Sequence, residues 1–291
     1  MDLDRTALDN ALESFTESGV SGNSRMNLVV SMTSYPARIG VAHYALFSVM
    51  SQSLKPDAVI LWLTEEEFPG KEKDVPEEVL RLRDNGLTIG WTENLRSYTK
   101  LVPSLRAYPD SVIVTADDDL FYLNGWLERL HADYENNGRR TMVHAHRAHR
   151  IALDDRMLPR PYADWTPAKQ NLPGASFLNF ATGFGGVLYP PGALHPDAVD
   201  AAKFLALAPH ADDVWFWAMA VLNGTMVRLI DTFLTLYPGL NPRDLPHNLW
   251  TYNILEGGNT VQMANVLEAY PEIAVNLMAE QKMLRRRGGR S

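Results

Sequence analysis

The sequence predicts an α/β fold in which a mostly parallel sheet carries helices on both faces. Short apolar runs alternate with longer amphipathic segments over the first 140 residues, an order typical of strand–helix–strand units. The run at 28–32 is mainly apolar, as a central parallel strand buried on both faces requires. Of the 291 residues 46% are hydrophobic and 21% charged, which is typical of globular chains with one large core or two smaller ones.

Six apolar runs bounded by turn-forming residues predict the strands. The first run follows Asn27 and ends before Pro36 and Gly40, and the second is entered through Pro56. In chain order, the predicted strands span residues 28–32, 58–63, 87–91, 111–115, 185–189 and 226–230.

Helices are predicted where apolar residues recur on one face. Pro103 has to lie near the start of its helix or kink it, and Asn124 is expected to cap the helix that follows it. Residues 151–181 are rich in Pro, Asp, Arg and aromatic side chains without periodicity, which predicts a long ordered loop. The other predicted helices span residues 3–16, 41–50, 79–83, 98–108, 197–208, 212–222 and two segments at the C-terminus.

Composition divides the chain into three predicted parts. Residues 1–25 form a helix and a flexible joint, residues 26–250 form the α/β domain with its irregular loops, and residues 251–291 form a helical extension. The extension ends in a basic tail over residues 285–290. Such a tail either contacts an anionic membrane surface or frays in solvent, and both interpretations stay open.

Charge and composition exclude several classes of function. The net charge of −8 argues against nucleic acid as the main partner, because duplex binding needs a basic face. The absence of cysteine excludes disulfides, thiolate metal sites and thiol nucleophiles. No run reaches the ~18 to 20 apolar residues that cross a bilayer, and the acidic first 25 residues are unlike a signal peptide. We therefore expect a cytoplasmic protein, with peripheral contact to the inner membrane face as the open alternative.

An acidic triplet is the strongest functional signal. Asp117, Asp118 and Asp119 follow the predicted strand 111–115, and ligands of open α/β sheets bind at the carboxyl ends of strands. Two like charges about 4 Å apart cost about 4 kcal/mol at an effective dielectric near 20, so the triplet needs a cation. Carboxylate oxygens suit Mg²⁺ or Mn²⁺, which often bridge to substrate phosphates. The alternative is a solvated acidic turn or helix N-cap.

Two further polar segments are candidates for the same site. Arg96 and Lys100 precede the fourth strand, where they either neutralise phosphate oxygens or pair on the surface. Asp212 and Asp213 open a predicted helix, where they are either a cap and a first-turn acid or a rigidly held general base.

Five segments are notable for their order and spacing. They are 29–36 (VVSMTSYP), 96–100 (RSYTK), 117–119 (DDD), 182–186 (TGFGG) and 211–215 (ADDVW). Together they resemble bacterial family 2-like glycosyltransferases of the GT-A fold. The resemblance covers about residues 26–230, and no single motif decides it.

The resemblance implies a nucleotide-sugar site with a metal ion. It assigns metal binding to Asp117 and Asp119, and His247 is either a third metal ligand or an ordinary surface or core histidine. It assigns donor binding to Thr33, Ser34, Tyr35, Arg38, Arg96, Lys100, Asp117 and Asp118. It assigns the acceptor side to Gly183, Phe184, Gly185, Gly186 and Trp215. The general base is Asp213 or its neighbour Asp212, because the family has an acidic pair at this position.

The expected activity is a metal-dependent glycosyl transfer, with Mn²⁺ or Mg²⁺ as cofactor. A sugar would move from a nucleotide-diphosphate donor, with inversion, to a hydroxyl of a carbohydrate or lipid-linked acceptor. The resemblance points to assembly of bacterial surface polysaccharides or glycoconjugates. Two alternatives stay open: a nucleotidyltransferase of sugar phosphates, although the glycine- and arginine-rich signature loop is missing, and a non-catalytic protein that binds nucleotides or sugars.

Overall fold

The strands and helices are taken from a computed structural model, which describes residues 4–25, 27–137, 142–167, 174–230, 237–238, 240, 252–253 and 257–288. The strands are β1 (Leu28–Thr33), β2 (Ala58–Thr64), β3 (Leu87–Thr92), β4 (Val112–Asp117), β5 (Leu120–Phe121), β6 (Met142–Ala145), β7 (Ala148–Arg150), β8 (Thr166–Pro167), β9 (Ala175–Ser176), β10 (Asn179–Ala181), β11 (Val187–Tyr189), β12 (Met226–Leu229) and β13 (Tyr237–Pro238). The helices are α1 (Arg5–Glu13), α2 (Ile39–Met50), α3 (Glu77–Arg81), α4 (Val102–Ala107), α5 (Trp126–Asn137), α6 (Ala201–Leu207), α7 (Asp212–Leu222), α8 (Gly258–Ala269) and α9 (Glu272–Gly288).

One large sheet organises the described part of the chain. Its eight strands follow the order β3-β2-β1-β4-β11-β6-β12-β9. Strands β3, β2, β1 and β4 run parallel, and β12 runs parallel to β6. Strand β11 lies antiparallel between β4 and β6, and β9 is antiparallel at the edge. The predicted α/β fold with a mostly parallel sheet is confirmed.

The central strand β1 is buried on both faces, which explains its mainly apolar sequence. Val30 and Met32 pack into one hydrophobic cluster together with side chains of α2 and α5. Val29 points to the opposite face and packs with Ile60. A second large cluster contains side chains of α7, α8 and α9, so helices cover the sheet as predicted.

Three predicted helices are divided in the structure. The helix predicted over 79–83 is α3 followed by a 3₁₀ turn over Leu82–Asn85. A 3₁₀ turn over Arg96–Lys100 precedes α4, and Pro103 lies in the first turn of α4, where its missing N–H removes no helical hydrogen bond. The predicted helix 197–208 is interrupted at Asp200, whose carboxylate accepts from Lys203 N–H and caps α6. The loop predicted over 151–181 also contains β8, β9 and β10; β7 pairs with β8 and β10 in a small antiparallel sheet.

The start of α5 is held by a side chain distant in sequence. Gln52 Oε1 accepts from the backbone N–H of Trp126 at 3.0 Å and of Leu127 at 3.5 Å. Asn124, predicted as the cap, accepts instead from Gly125 N–H, just before the helix. The cap prediction is therefore wrong, because the buried Gln52 amide reaches the same donors.

Helices near both ends of the described chain pack on helices of its central part. Helix α1 meets α2 through a 2.5 Å hydrogen bond from the Tyr44 hydroxyl to Asp9, and α8 and α9 pack on α7. The predicted division at residues 25 and 250 stays a prediction, and the side chains of the basic tail lie outside the described residues. No helix in the described ranges has the length and apolar character to span a membrane.

Candidate functional site

A cavity of about 450 Å³ opens at the carboxyl ends of β1, β2 and β4. Ligands of open α/β sheets bind at this edge. The sequence-predicted residues that line it are Thr33, Ser34, Tyr35, Arg38, Arg96, Lys100, Asp117, Asp118 and Asp212. The fold therefore brings all eight predicted donor-binding residues to one cavity, together with one of the two candidate bases.

Strand pairing and short hydrogen bonds hold the end of β1 and the acidic triplet at the end of β4 together. Thr33 on β1 pairs in register with Asp117 on β4, so the ends of the two strands lie side by side. Ser34 Oγ donates to Asp118 Oδ2 at 2.5 Å, and the Arg38 guanidinium pairs with the other oxygen of the same carboxylate. Burial raises the pKa of Asp118 to about 6, although Arg38 and Ser34 oppose that shift. Asp118 therefore anchors the loop after β1.

Arg38 compensates part of the charge for which a metal ion was invoked. Its guanidinium bridges from Asp118 to Asp119, which lies at 2.8 Å with about a third of its side chain exposed. Lys100 supplies a second cation beside Asp117. The two cations face five carboxylates, since Asp212 and Asp213 join the triplet, so the chain's own charges reduce the repulsion without removing it.

Lys100 occupies the centre of the acidic cluster. Its Nζ lies 3.5 Å from Asp117 Oδ1 and 3.3 Å from Asp212 Oδ2. Desolvation opposes the charge on Lys100, but the carboxylates of Asp212, Asp117 and Asp213 together raise its pKa well above the ordinary value. Lys100 is therefore a fixed cation that links the end of β4 to the start of α7.

Asp212 and Asp213 are the first two residues of α7. Ala211 occupies the N-cap position, so neither aspartate is the cap. Asp212 is buried, and its Oδ2 has no hydrogen bond despite the nearby Lys100 charge. Asp213 Oδ1 accepts from Gly183 N–H at 2.9 Å. Burial and the neighbouring Asp212 raise the pKa of Asp213 to about 7, which is a suitable value for a base at neutral pH.

The glycine-rich loop before β11 needs its glycines. Gly185 and Gly186 have φ of 93° and 99°, in the left-handed region where glycine carries no steric penalty. Trp126 Nε1 donates to Gly185 O at 2.7 Å, and a Cβ on Gly186 would lie 2.6 Å from the same indole ring. Phe184 projects outward and is 36% exposed. Trp215 is instead fully buried in the core, with its indole N–H on Ala198 O.

Gly183 lies next to both the Lys100 ammonium and the Asp213 carboxylate. A Cβ there would lie 2.4 Å from Lys100 Nζ and 3.1 Å from Asp213 Oδ1. We expect Gly183→Ala to displace both groups and to lower any turnover by about tenfold or more, because misplacement of about 1 Å has large kinetic costs. Gly40→Ala is the matched control, because a Cβ there meets nothing within 4 Å. Equal kinetics of the two variants would contradict the expectation.

The metal prediction fits the available donor atoms in part. Burial raises the pKa of Asp117, and the carboxylate of Asp119 adds to that rise, so the two carboxylates lie in each other's field. Carboxylate oxygens are the donors that Mg²⁺ and Mn²⁺ prefer, with substrate phosphates completing the shell. Among the described residues no three ligating side chains converge, and His247 lies outside them. Two carboxylates are therefore what the described part of the chain offers a metal.

Several cavity residues were missed from the sequence. Ser97 Oγ and Thr99 Oγ1 are buried without a hydrogen-bond partner, so they are available to a ligand. His210 lies against Arg96, with 3.2 Å between Nε2 and Nη1. The alternation of Ser97 and Thr99 between the two predicted cations was the available signal. The remaining unpredicted lining residues are Thr64, Glu67, Asn94 and Ala116.

Two solved structures with the same fold are complexes with nucleotide sugars. The mannosyltransferase PcManGT from Pyrobaculum calidifontis, solved in complex with GDP-Man and Mn²⁺, matches with a TM-score of 0.54 and 14% identity over 94% of this chain and 74% of that chain. S. aureus TarS 1-349 in complex with UDP-GlcNAc matches with a TM-score of 0.51 and 13% identity over 88% and 71%. The chain has a GT-A-like fold.

The other comparisons add little to this GT-A-like assignment. The inositol-1-phosphate CTP transferase from T. maritima matches with a TM-score of 0.41 and 12% identity, over 84% of this chain and 98% of that chain. No protein-family model and no curated protein matches the chain. The GT-A-like fold therefore rests on architecture, and the activity has to be argued from the cavity.

Proposed function

We propose that this chain is a glycosyltransferase that moves a sugar from a nucleotide-diphosphate donor to an acceptor hydroxyl with inversion. The observation that carries the proposal is the meeting of Lys100 with Asp117 at the end of β4 and with the acidic pair at the start of α7. Lys100 and Asp117 on one side of this cluster suit a diphosphate with its metal ion. On the other side the carboxylate of Asp213 has a pKa of about 7.

The donor fits the cavity by charge and by polarity. Arg38, Arg96 and Lys100 line it and offer cations to a diphosphate, while Ser97 and Thr99 offer unpaired hydroxyls to a ribose or sugar. The solved complexes of the two fold neighbours contain GDP-Man and UDP-GlcNAc, which supports a donor of this class.

Asp117 and Asp119 would hold the Mn²⁺ or Mg²⁺ ion of this proposal. Such an ion would neutralise charge on the diphosphate leaving group. Lys100 adds a fixed positive charge on the same side, where it stabilises the leaving group without reorganising. The donor phosphates would then compete with Asp119 for Arg38, because the Arg38 guanidinium bridges Asp118 and Asp119 in the structure.

The transfer step uses Asp213 as general base. Its carboxylate accepts the proton of the acceptor hydroxyl, while the acceptor oxygen forms a bond to the anomeric carbon. The bond from that carbon to the diphosphate oxygen breaks, and its electron pair leaves with the nucleoside diphosphate. The Gly183 N–H orients the carboxylate of Asp213. The charge of Lys100 lowers the pKa of Asp213 and so opposes the effect of burial on it. The resemblance in sequence supports a carbohydrate or lipid-linked acceptor of bacterial surface polysaccharide or glycoconjugate assembly.

Nucleotide titration followed by donor hydrolysis tests this function. We expect UDP or GDP to bind more tightly with Mn²⁺ than without it, and the matching nucleotide sugar to be slowly hydrolysed. Calorimetry measures the binding and release of nucleoside diphosphate measures hydrolysis. Pyrophosphate release from a nucleoside triphosphate and a sugar phosphate would instead identify a nucleotidyltransferase. Metal-dependent binding without hydrolysis or transfer would leave a non-catalytic binding protein.

A further inference from the structure

A cation backed by an aromatic ring lies on the rim of the glycine-rich loop. The guanidinium carbon of Arg147 is 5.1 Å from the centroid of the Phe184 ring. Both side chains are exposed. Within the ranges that the structure describes, no carboxylate pairs with Arg147. Stacking on a ring restrains a guanidinium while leaving its N–H groups available, so this cation is held ready without being neutralised.

Backbone hydrogen bonds fix this pair beside the candidate base. Thr182 N–H donates to Arg147 O at 3.2 Å, which ties the turn between β6 and β7 to the loop. The next residue of the loop, Gly183, donates to Asp213 Oδ1. Arg147 and Asp213 therefore contact adjacent residues of the same short loop, Arg147 through Thr182 and Phe184 and Asp213 through Gly183.

Two aromatic side chains continue the surface from this pair toward the base. Burial raises the pKa of Tyr162 to about 12. The carboxylate of Asp213 adds to that rise and the guanidinium of Arg147 opposes it, so Tyr162 lies near both groups. The His149 ring lies 5.4 Å from the Tyr162 ring, and its buried Nδ1 has no hydrogen-bond partner. This surface thus includes the exposed Phe184 ring and, among the described residues, a guanidinium without a carboxylate partner, next to the buried Tyr162 ring and the unpartnered His149 Nδ1.

This surface is separate from the donor cavity. Arg147, Phe184 and Tyr162 do not line that cavity in the described part of the chain, whereas Asp212 does. The donor side already has three cations of its own. Arg147 is a fourth cation, and it lies outside that cavity.

We propose that Arg147, stacked on Phe184, binds an anionic group of the acceptor, a phosphate or a carboxylate, next to the hydroxyl that is glycosylated. A guanidinium presents two parallel N–H donors that match either oxyanion, and an aromatic backing keeps them in one plane. The proposal rests on the proposed function, because it takes Asp213 as the base that marks the acceptor side.

The test measures binding of three probes to the protein saturated with UDP or GDP and Mn²⁺. The probes are glucose 6-phosphate, glucuronate and glucose, followed by ligand-observed NMR. We expect at least one anionic probe to bind about tenfold more tightly than glucose, as a charge-assisted hydrogen-bonded pair implies. Arg147→Ala is expected to abolish this preference, and Arg147→Lys to keep only part of it. Preference for the phosphate or for the carboxylate identifies which group the site takes.

Arg156→Ala is the matched control, because Arg156 is 84% exposed and pairs only loosely with Asp154 at 3.7 Å. It should leave the preference unchanged. Equal binding of the three probes, binding of none, or an unchanged preference in Arg147→Ala overturns the inference. If nucleotide binding with Mn²⁺ persists in these cases, the proposed function stands; if the wild-type chain binds no nucleotide, both fall.

Discussion

Asp213→Asn is expected to lower the transfer rate by about 100-fold or more, with little change in donor affinity. The amide keeps the size of the side chain and can still accept from Gly183 N–H, but it cannot take a proton at neutral pH. General-base assistance contributes roughly 10²- to 10⁴-fold in rate. Donor affinity should be retained because Asp213 does not line the donor cavity. Steady-state kinetics and calorimetric titration measure the two quantities separately.

The pH dependence of the same variant gives a second readout. In the wild-type chain kcat/KM should rise about tenfold per pH unit below 7 and level off above it, because only the ionised carboxylate of Asp213 is a base. The pKa of Asp213 lies above its ordinary value of 3.8, so the folded chain holds this proton more tightly than the unfolded chain. That contribution to stability is present at low pH and is lost as the pH rises toward 7. Asp213→Asn should remove both effects.

Asp212→Asn is the matched control for this prediction. Asp212 is the neighbouring acid on the same helix, but its carboxylate faces Lys100 and the donor cavity. We expect a smaller loss of rate, with the rise of the pH profile moved to lower pH, because the charge of Asp212 no longer raises the pKa of Asp213. The reverse pattern would assign the base to Asp212. Rates close to wild type in both variants would remove α7 from the mechanism.

Asp119→Ala is expected to abolish the Mn²⁺ dependence of nucleotide binding while leaving the fold intact. The side chain is a third exposed, and Arg38 keeps Asp118 as a partner when Asp119 is removed, so little packing is lost. The melting temperature should therefore change little. Titration of UDP or GDP with and without Mn²⁺ measures the effect.

Asp164→Ala provides the comparison for Asp119→Ala. Asp164 is also a partly exposed acid paired with one arginine, Arg160, at 3.3 Å, but it does not line the donor cavity. It should leave metal-dependent binding unchanged. If Asp119→Ala retains the full Mn²⁺ effect, the metal assignment at the end of β4 is wrong and the cations of the chain suffice for the diphosphate.

The strands and the acidic triplet could be predicted because their causes are local. Strands β1, β2 and β4 are buried at nearly every position, and the edge strand β3 still carries large apolar side chains, so all four were visible as mainly apolar runs. The acids follow the fourth run directly, and a strand end in an open sheet is where ligands bind. The start of α7 at Asp212 was predicted to the residue, because its apolar face has helical spacing.

Only the tertiary structure decided which charges meet. Lys100 lies between Asp117 and Asp212 because the fold brings the end of β4 and the start of α7 together. The same is true of the Gln52 amide, which replaces Asn124 at the start of α5. Such contacts join residues far apart in sequence, so no local pattern encodes them.

The chemistry of the candidate base follows from that convergence. An isolated aspartate titrates near pH 4. Burial beside Asp212 moves the pKa of Asp213 to about 7, against the opposing effects of Lys100 and Gly183. The sequence by itself determined that an acid stands at this helix start. Whether it is ionised at neutral pH was decided by packing, because desolvation and neighbouring charge exist only once the chain has folded.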